Sequence, residues 1–182
     1  MNNCLIYPGS FDPMHYGHVF AFKQAYDILC PCISYLVLQD NRFKDSHMFT
    51  TSSRYHILTE ICKELKHSGY EVTLHFEDGI EFFIDIFRSL KHSISTNHKS
   101  IKYHVLIGDD VLDSIKNWHE FDILNNEVSF VIMERHYNSS EIISKCNELG
   151  VKTWSILQLK IVAASTLIRN EMTKKIIHDA LQ

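Results

Sequence analysis

Two histidines three residues apart, His15 and His18, close the stretch Gly9-Ser10-Phe11-Asp12-Pro13-Met14 and are separated by Tyr16-Gly17. At that spacing on the first turn of a helix, both imidazoles can face one bound group. Gly9 and Ser10 let the backbone come close to a ligand. A helix that follows Gly17 turns its unpaired N–H groups and positive dipole end toward any anion lying there. The chemistry expected is phosphate handling, with the histidines as donors. Asp12 reads as a structural residue, tying the turn together through an Asx-type hydrogen bond.

Those residues need a strand before them and a helix behind. The apolar run Cys4-Leu5-Ile6-Tyr7 enters the turn as a first strand, and further strands are predicted over 33–38, 71–75, 103–107, 128–133 and 152–156. Helical periodicity fills the gaps. Over 53–65 it sets Ile57, Leu58, Ile61, Cys62 and Leu65 on one face, with Gly69 as a break. Ser139 or Ser140 is expected to cap a helix running to Leu149, with Gly150 behind it. The polar stretch 93–100 reads as a surface loop. Strands alternating with helices predict an α/β fold: a Rossmann-like, doubly wound, mostly parallel sheet with helices on both faces. In such sheets ligands bind beyond the carboxyl ends of the strands, near the reversal in strand order.

Composition sets the bounds. With 182 residues, 45% of them hydrophobic, residues 1–182 are expected to form a single domain. Eighteen Lys and Arg against 22 Asp and Glu give a net charge of -4, so no general basic field favours nucleic acid and anion binding must be local. Twelve histidines make the surface charge sensitive to pH. Five cysteines without a Cys-x-x-Cys pair read as free thiols in a reducing compartment, not as a metal site or disulfides. Without a signal-like start or an apolar run of about 20 residues, the expectation is a cytoplasmic protein with no membrane partner.

The opening motif resembles that of a known superfamily. Gly9-x-Phe11-x-Pro13-x-His15-x-Gly17-His18 after a first strand is similar to the His-x-Gly-His signature of the nucleotidyltransferases, which move a nucleotidyl group from a nucleoside triphosphate to a phosphate-bearing acceptor. The resemblance implies that His15 and His18 are catalytic, and that Gly9, Ser10, Phe11 and Gly17 line the ATP site. The acceptor phosphate is already anionic, so positioning and charge stabilisation can carry the reaction without a general base or covalent intermediate. Magnesium would ride on the triphosphate, with no metal site of the protein's own. Ala164-Ser165-Thr166-Leu167-Ile168-Arg169 resembles the superfamily's Ser-Ser-Thr-x-Ile-Arg segment, implying that Ser165, Thr166 and Arg169 grip the β- and γ-phosphates, with one hydroxyl missing at Ala164.

The middle of the chain resembles the pyridine mononucleotide adenylyltransferases. Ile107-Gly108-Asp109-Asp110 is similar to their Ile-Gly-Ala-Asp segment, with Asp109 in place of Ala, and implies that Gly108 and Asp110 meet the adenosine. Trp118 matches the tryptophan that lines the pyridine pocket, although its spacing from Leu112 and Ile115 equally suits a core anchor on a helix. Asn41-Arg42-Phe43-Lys44 and Arg54 resemble an Asn-Pro-x-Lys segment and its downstream arginine, implying that Lys44 and Arg54, with Ser10, bind the mononucleotide. The segment that ends at Arg135 resembles the family's late strand, which carries an arginine, and implies that Arg135 lies near ATP, with His136-Tyr137 replacing a common Pro-Gly. Phe82-Phe83 stands where nicotinate-preferring members carry Tyr-Thr, which implicates Phe83 in the pyridine pocket and removes a hydroxyl donor for the acid. The implied function is adenylyl transfer from ATP to nicotinate or nicotinamide mononucleotide in NAD biosynthesis, by a chain free to form a homo-oligomer. The alternatives are a phosphopantetheine adenylyltransferase, whose opening motif is similar but normally carries Thr at position 15, and a nucleotide-binding regulator that has lost catalysis.

Overall fold

The computed structural model describes residues 2–39, 47–95 and 100–158. Six strands, β1 (Asn2–Gly9), β2 (Ile33–Leu38), β3 (Thr73–His75), β4 (Ile101–Gly108), β5 (Val128–Glu134) and β6 (Trp154–Gln158), form one sheet in the order β3-β2-β1-β4-β5-β6. Each neighbouring pair is parallel, so the sheet is parallel throughout rather than mostly so. The order reverses between β1 and β4, which opens a crevice beyond Gly9 and Gly108.

Strand alternation divides the core in two. Cys4, Ile6, Val105, Ile107, Phe130 and Ile132 face one layer, which also contains buried residues of α3 (Phe83–Ser95), α4 (Phe121–Glu127) and α5 (Ser139–Leu149). Leu5, Tyr7, Leu106, Val131 and Met133 face the other, with residues of α1 (Tyr16–Leu29) and α2 (Thr51–His67). The predicted face Ile57, Leu58, Ile61, Cys62 and Leu65 is the buried face of α2.

Several boundaries differ from expectation for local reasons. Thr50 accepts the N–H of Ser53 and starts α2 ahead of the predicted 53. Asn138, not Ser139 or Ser140, caps α5: its side chain accepts the N–H of Glu141 at 3.0 Å, and the Glu141 carboxylate accepts the N–H of Asn138 at 2.8 Å. Gly150 ends α5 at φ +69, where a left-handed residue is needed. α3 extends through Ser95 and so takes in the first part of the expected 93–100 loop. Leu112 and Ile115 are buried as a helical spacing requires, but by two short 3-10 helices, Asp109–Asp113 and Ile115–Asn117, with Trp118 capping the second. Among the described residues no helix is long and apolar enough to cross a membrane.

Candidate nucleotide site

The turn after β1 is shaped by one aromatic ring. Phe11 has φ 42 and lays its ring against Gly9, where an added Cβ would come within 2.9 Å of it. Only glycine leaves that space. Phe11 then meets Tyr7 and His18 edge-on, at centroid distances of 5.3 and 5.6 Å. Asp12 is structural, but its partners are not those of an Asx turn. Its carboxylate accepts the N–H groups of Met48 and Phe49 at 2.7 and 2.9 Å, with the His47 ring at 3.4 Å. Burial pushes the Asp12 carboxyl up, yet these donors and the charges of His47 and Arg54 outweigh it and hold it below the ordinary carboxylate range.

His15 and His18 open α1 as a reciprocal cap. His15 Nδ1 accepts the N–H of Gly17 at 3.1 Å, and His18 Nδ1 accepts the N–H of His15 at 3.2 Å. The rings lie 3.8 Å apart between centroids. A neutral imidazole that accepts through Nδ1 carries its proton on Nε2, so each ring is an N–H donor through Nε2. Gly17 makes room for this: a Cβ there would sit 3.0 Å from the His15 ring. Burial, aided by the charge of Arg135, moves the His15 pKa down and favours the neutral ring.

Across the crevice, Gly108 ends β4 in the open space that Asp110 and Arg135 occupy. A Cβ on Gly108 would collide with the Asp110 carboxylate and lie 3.6 Å from Arg135 Nη1. Tyr7, beneath this pair, has its pKa raised chiefly by burial, with Arg135 opposing and Asp110 adding to the rise. The β1 turn and the β4 and β5 ends thus converge on one electrostatic neighbourhood. Asp110 and Arg135 are exposed.

Arg54 lies beneath the β1 turn. It is 1% exposed and donates to Ser10 O at 2.8 Å, Gln39 O at 3.4 Å and Thr51 Oγ1 at 3.1 Å. These contacts bind the β1 turn to the end of β2 from below. Phe83 and Trp118 meet edge-on at 5.8 Å, where the start of α3 and the 3-10 region after β4 come together, and Trp118 also packs against the core. Lys44, Ser165, Thr166 and Arg169 lie outside the described residues.

Asp109, which sequence flags only as a departure, is wholly buried. Its Oδ2 accepts the N–H groups of Arg135, His136 and Tyr137, and its Oδ1 faces His136 Nδ1 at 3.2 Å. Burial raises its pKa, but these donors prevail and hold the carboxyl below the usual range. Asp109, Asp110 and His136 bring ligand-type atoms within 4.8 Å of one another. Because the Asp109 oxygens already serve backbone donors, this group fits a braced turn better than a cation cage. An acid directly after the buried end of a strand was the available signal; its partners, 26 to 28 residues on, were not.

A parallel sheet with its strand reversal at β1 and β4, and paired imidazole donors facing an arginine at that crevice, defines an α/β protein of the nucleotidyltransferase class. The cytidylyltransferase-like family model matches residues 6–171. The "Probable nicotinate-nucleotide adenylyltransferase" of Sulfurovum sp. (strain NBC37-1) is 30% identical over 181 residues, covering 97% of this chain and 88% of that protein. The protein of the same name from Aliarcobacter butzleri (strain RM4018) is 26% identical over 183 residues, covering 94% and 88%. In fold, the chain resembles Plasmodium falciparum nicotinic acid mononucleotide adenylyltransferase complexed with NaAD, at a TM-score of 0.71 and 20% identity over 96% of this chain and 83% of that one. The chain belongs to the cytidylyltransferase-like family and, within it, to the nicotinate-nucleotide adenylyltransferases. It is a nucleotidyltransferase enzyme of NAD biosynthesis.

Proposed function

We propose that this chain transfers the adenylyl group of ATP to nicotinate mononucleotide. A phosphate oxygen of the mononucleotide attacks the α-phosphorus in line, the new P–O bond forms as the bond to the β-phosphate oxygen breaks, and pyrophosphate leaves. The observation that carries this reading is the paired cap at His15 and His18: both Nδ1 atoms accept backbone N–H groups at the start of α1, which puts the proton of each neutral ring on Nε2, the atom that would donate to the transferring phosphate. Gly9, Ser10, Phe11 and Gly17 form the close-approach turn, Gly108, Asp110 and Arg135 take the nucleotide side, and Ser165, Thr166 and Arg169 take the outer phosphates. Lys44, Phe83 and Trp118 serve the mononucleotide, whereas Arg54 acts on it through the backbone of Ser10. Magnesium enters with ATP as part of the substrate and supplies charge neutralisation on its phosphates.

The relatives' names favour the acid over the amide. With Phe82 and Phe83 at the family's Tyr-Thr position, the nicotinate carboxylate would find donors among backbone N–H groups at the start of α3. We place residues 1–182 in one domain working in the cytoplasm, where the free cysteines stay reduced.

The test is pyrophosphate release from ATP and magnesium with nicotinate mononucleotide, nicotinamide mononucleotide or phosphopantetheine as acceptor. Release should be fastest with nicotinate mononucleotide. Release with phosphopantetheine alone would overturn the assignment, and ATP binding without release for any acceptor would favour a regulator.

A further inference from the structure

We propose that Asp109 is a positioning residue for Arg135, and that Asp109 and the N–H of His136 are two halves of one device that sets the nucleotide side of the site. This rests on the reading of Arg135 as a nucleotide contact. Three successive amides, those of Arg135, His136 and Tyr137, converge on a single oxygen of Asp109 at 2.8, 2.7 and 2.8 Å. Successive amides in such a turn make a concave anion site. Here the chain's own buried carboxylate fills it and braces the turn from within. A second attachment fixes its far end: Tyr137 Oη donates to Asp113 Oδ2 at 2.8 Å, while Lys145 Nζ donates to Asp113 Oδ1 at 2.7 Å and lies 4.4 Å from the Tyr137 ring centroid. Asp109 and Asp113 belong to the same 3-10 helix. That helix therefore grips the turn at both its backbone and its tip.

The geometry reaches the ligand space through neighbours in sequence. Gly108 and Asp110 flank the buried acid, and Arg135 is the first residue it holds; the Arg135 guanidinium stands beside the Asp110 carboxylate over Gly108. Fixing the backbone of Arg135 relative to β4 thus fixes where its positive charge sits. The two departures noted in the sequence are coupled by the same contacts. A proline at position 136 would have no N–H for Asp109, and an alanine at position 109 would have no acceptor for His136.

The experiment compares Asp109→Ala, Asp109→Asn, His136→Pro and the double variant Asp109→Ala/His136→Pro. The readouts are KM for each substrate, ATP affinity by calorimetry, and hydrogen exchange at the amides of 136 and 137. Asp109→Ala and His136→Pro should each raise the KM and Kd for ATP by about tenfold or more, as a misplaced binding group does, while KM for the pyridine mononucleotide changes less than about threefold. Asp109→Asn keeps an acceptor and should recover much of the loss. The double variant should bind ATP better than the product of the single effects, because no buried carboxylate is left short of a donor. Amide 137 should exchange faster in Asp109→Ala than in the unmodified chain. Equal changes in both KM values, a fall in melting temperature with ATP affinity intact, or strictly multiplicative effects would overturn the proposal. Should Asp109→Ala not fold, His136→Pro, on an exposed turn, carries the same comparison with Asp109→Asn. Calorimetry and exchange do not depend on turnover, so an enzyme inactive with every acceptor would defeat the functional reading while these two still decide the role of Asp109.

Discussion

A histidine pair is a weak signal until its protons are assigned, and here the helix start assigns them. Because both Nδ1 atoms are occupied by backbone N–H groups, each ring is a donor through Nε2 in its neutral form. Donors of this kind act most strongly where negative charge builds up, so in the proposed reaction they would stabilise the transition state more than bound ATP. His18→Ala should therefore lower kcat by about two or more orders of magnitude, with only a modest change in ATP affinity; steady-state kinetics beside calorimetry measures both, and an unchanged kcat would remove His18 from the catalytic step. The pair was legible in the sequence because its spacing, its glycines and Phe11 are all local. Asp109 was not. Its sequence environment shows an acid after a buried strand, but the amides that explain it lie on another strand's exit and become visible only when β4 and β5 pair through Gly108 and Met133. Asp12 is a similar case: its structural role was readable, its partners at Met48 and Phe49 were not.

At the scale of elements, α2 supports the site from beneath through one side chain. Arg54 stands in its first turn, buried, and bridges Ser10 O, Gln39 O and Thr51 Oγ1, so the β1 turn, the β2 exit and the helix start move together. Replacing it by Met would take a charged donor from the half-buried carbonyls of Ser10 and Gln39, and hydrogen bonds to a charged group contribute about 1.5–3 kcal/mol each. Arg54→Met should cost roughly 2–4 kcal/mol in urea unfolding, with losses in kcat that follow the displaced turn. A direct substrate contact would give the opposite pattern, a raised mononucleotide KM with stability nearly unchanged. Hydrophobic periodicity revealed α2 and its inward face, since those depend on near neighbours. It did not reveal that an arginine on that helix turns inward, because the demand for a cation comes from carbonyls on two other segments. Cap positions failed for a smaller reason: Asn138, Ser139 and Ser140 are all competent caps, and the choice falls to the one whose backbone N–H meets Glu141.

At the scale of the whole molecule, the same buried groups that shape the sheet make its stability depend on pH in two separate windows. His104, on β4, is 6% exposed and pairs through Nε2 with Asn3 Oδ1 on β1 at 3.2 Å. Burial, with a lesser contribution from Lys102, moves its pKa down from 6.5 to about 4. Between those values the unfolded chain binds a proton that the folded chain refuses, so stability rises with pH across the window. It is complete above about pH 6.5 and falls as the pH drops toward 4, by roughly 3 kcal/mol at 1.36 kcal/mol per unit. His15 acts in the same direction, because its pKa is also lowered. Asp12 and Asp109 act in the next window down: their carboxyls are held below the ordinary value, so the stability they contribute is present above it and disappears as the pH falls through their folded values. Urea unfolding measured at intervals from pH 7.5 to about 2 should show a first decline between 6.5 and 4, then a second below about 3.8. His104→Gln retains an amide to meet Asn3 but has no proton to gain, and it should flatten the first decline while leaving the second in place. A first decline of the same depth in that variant would assign the window to the exposed histidines instead, and the β1–β4 junction would then not be the pH-sensitive seam of the sheet.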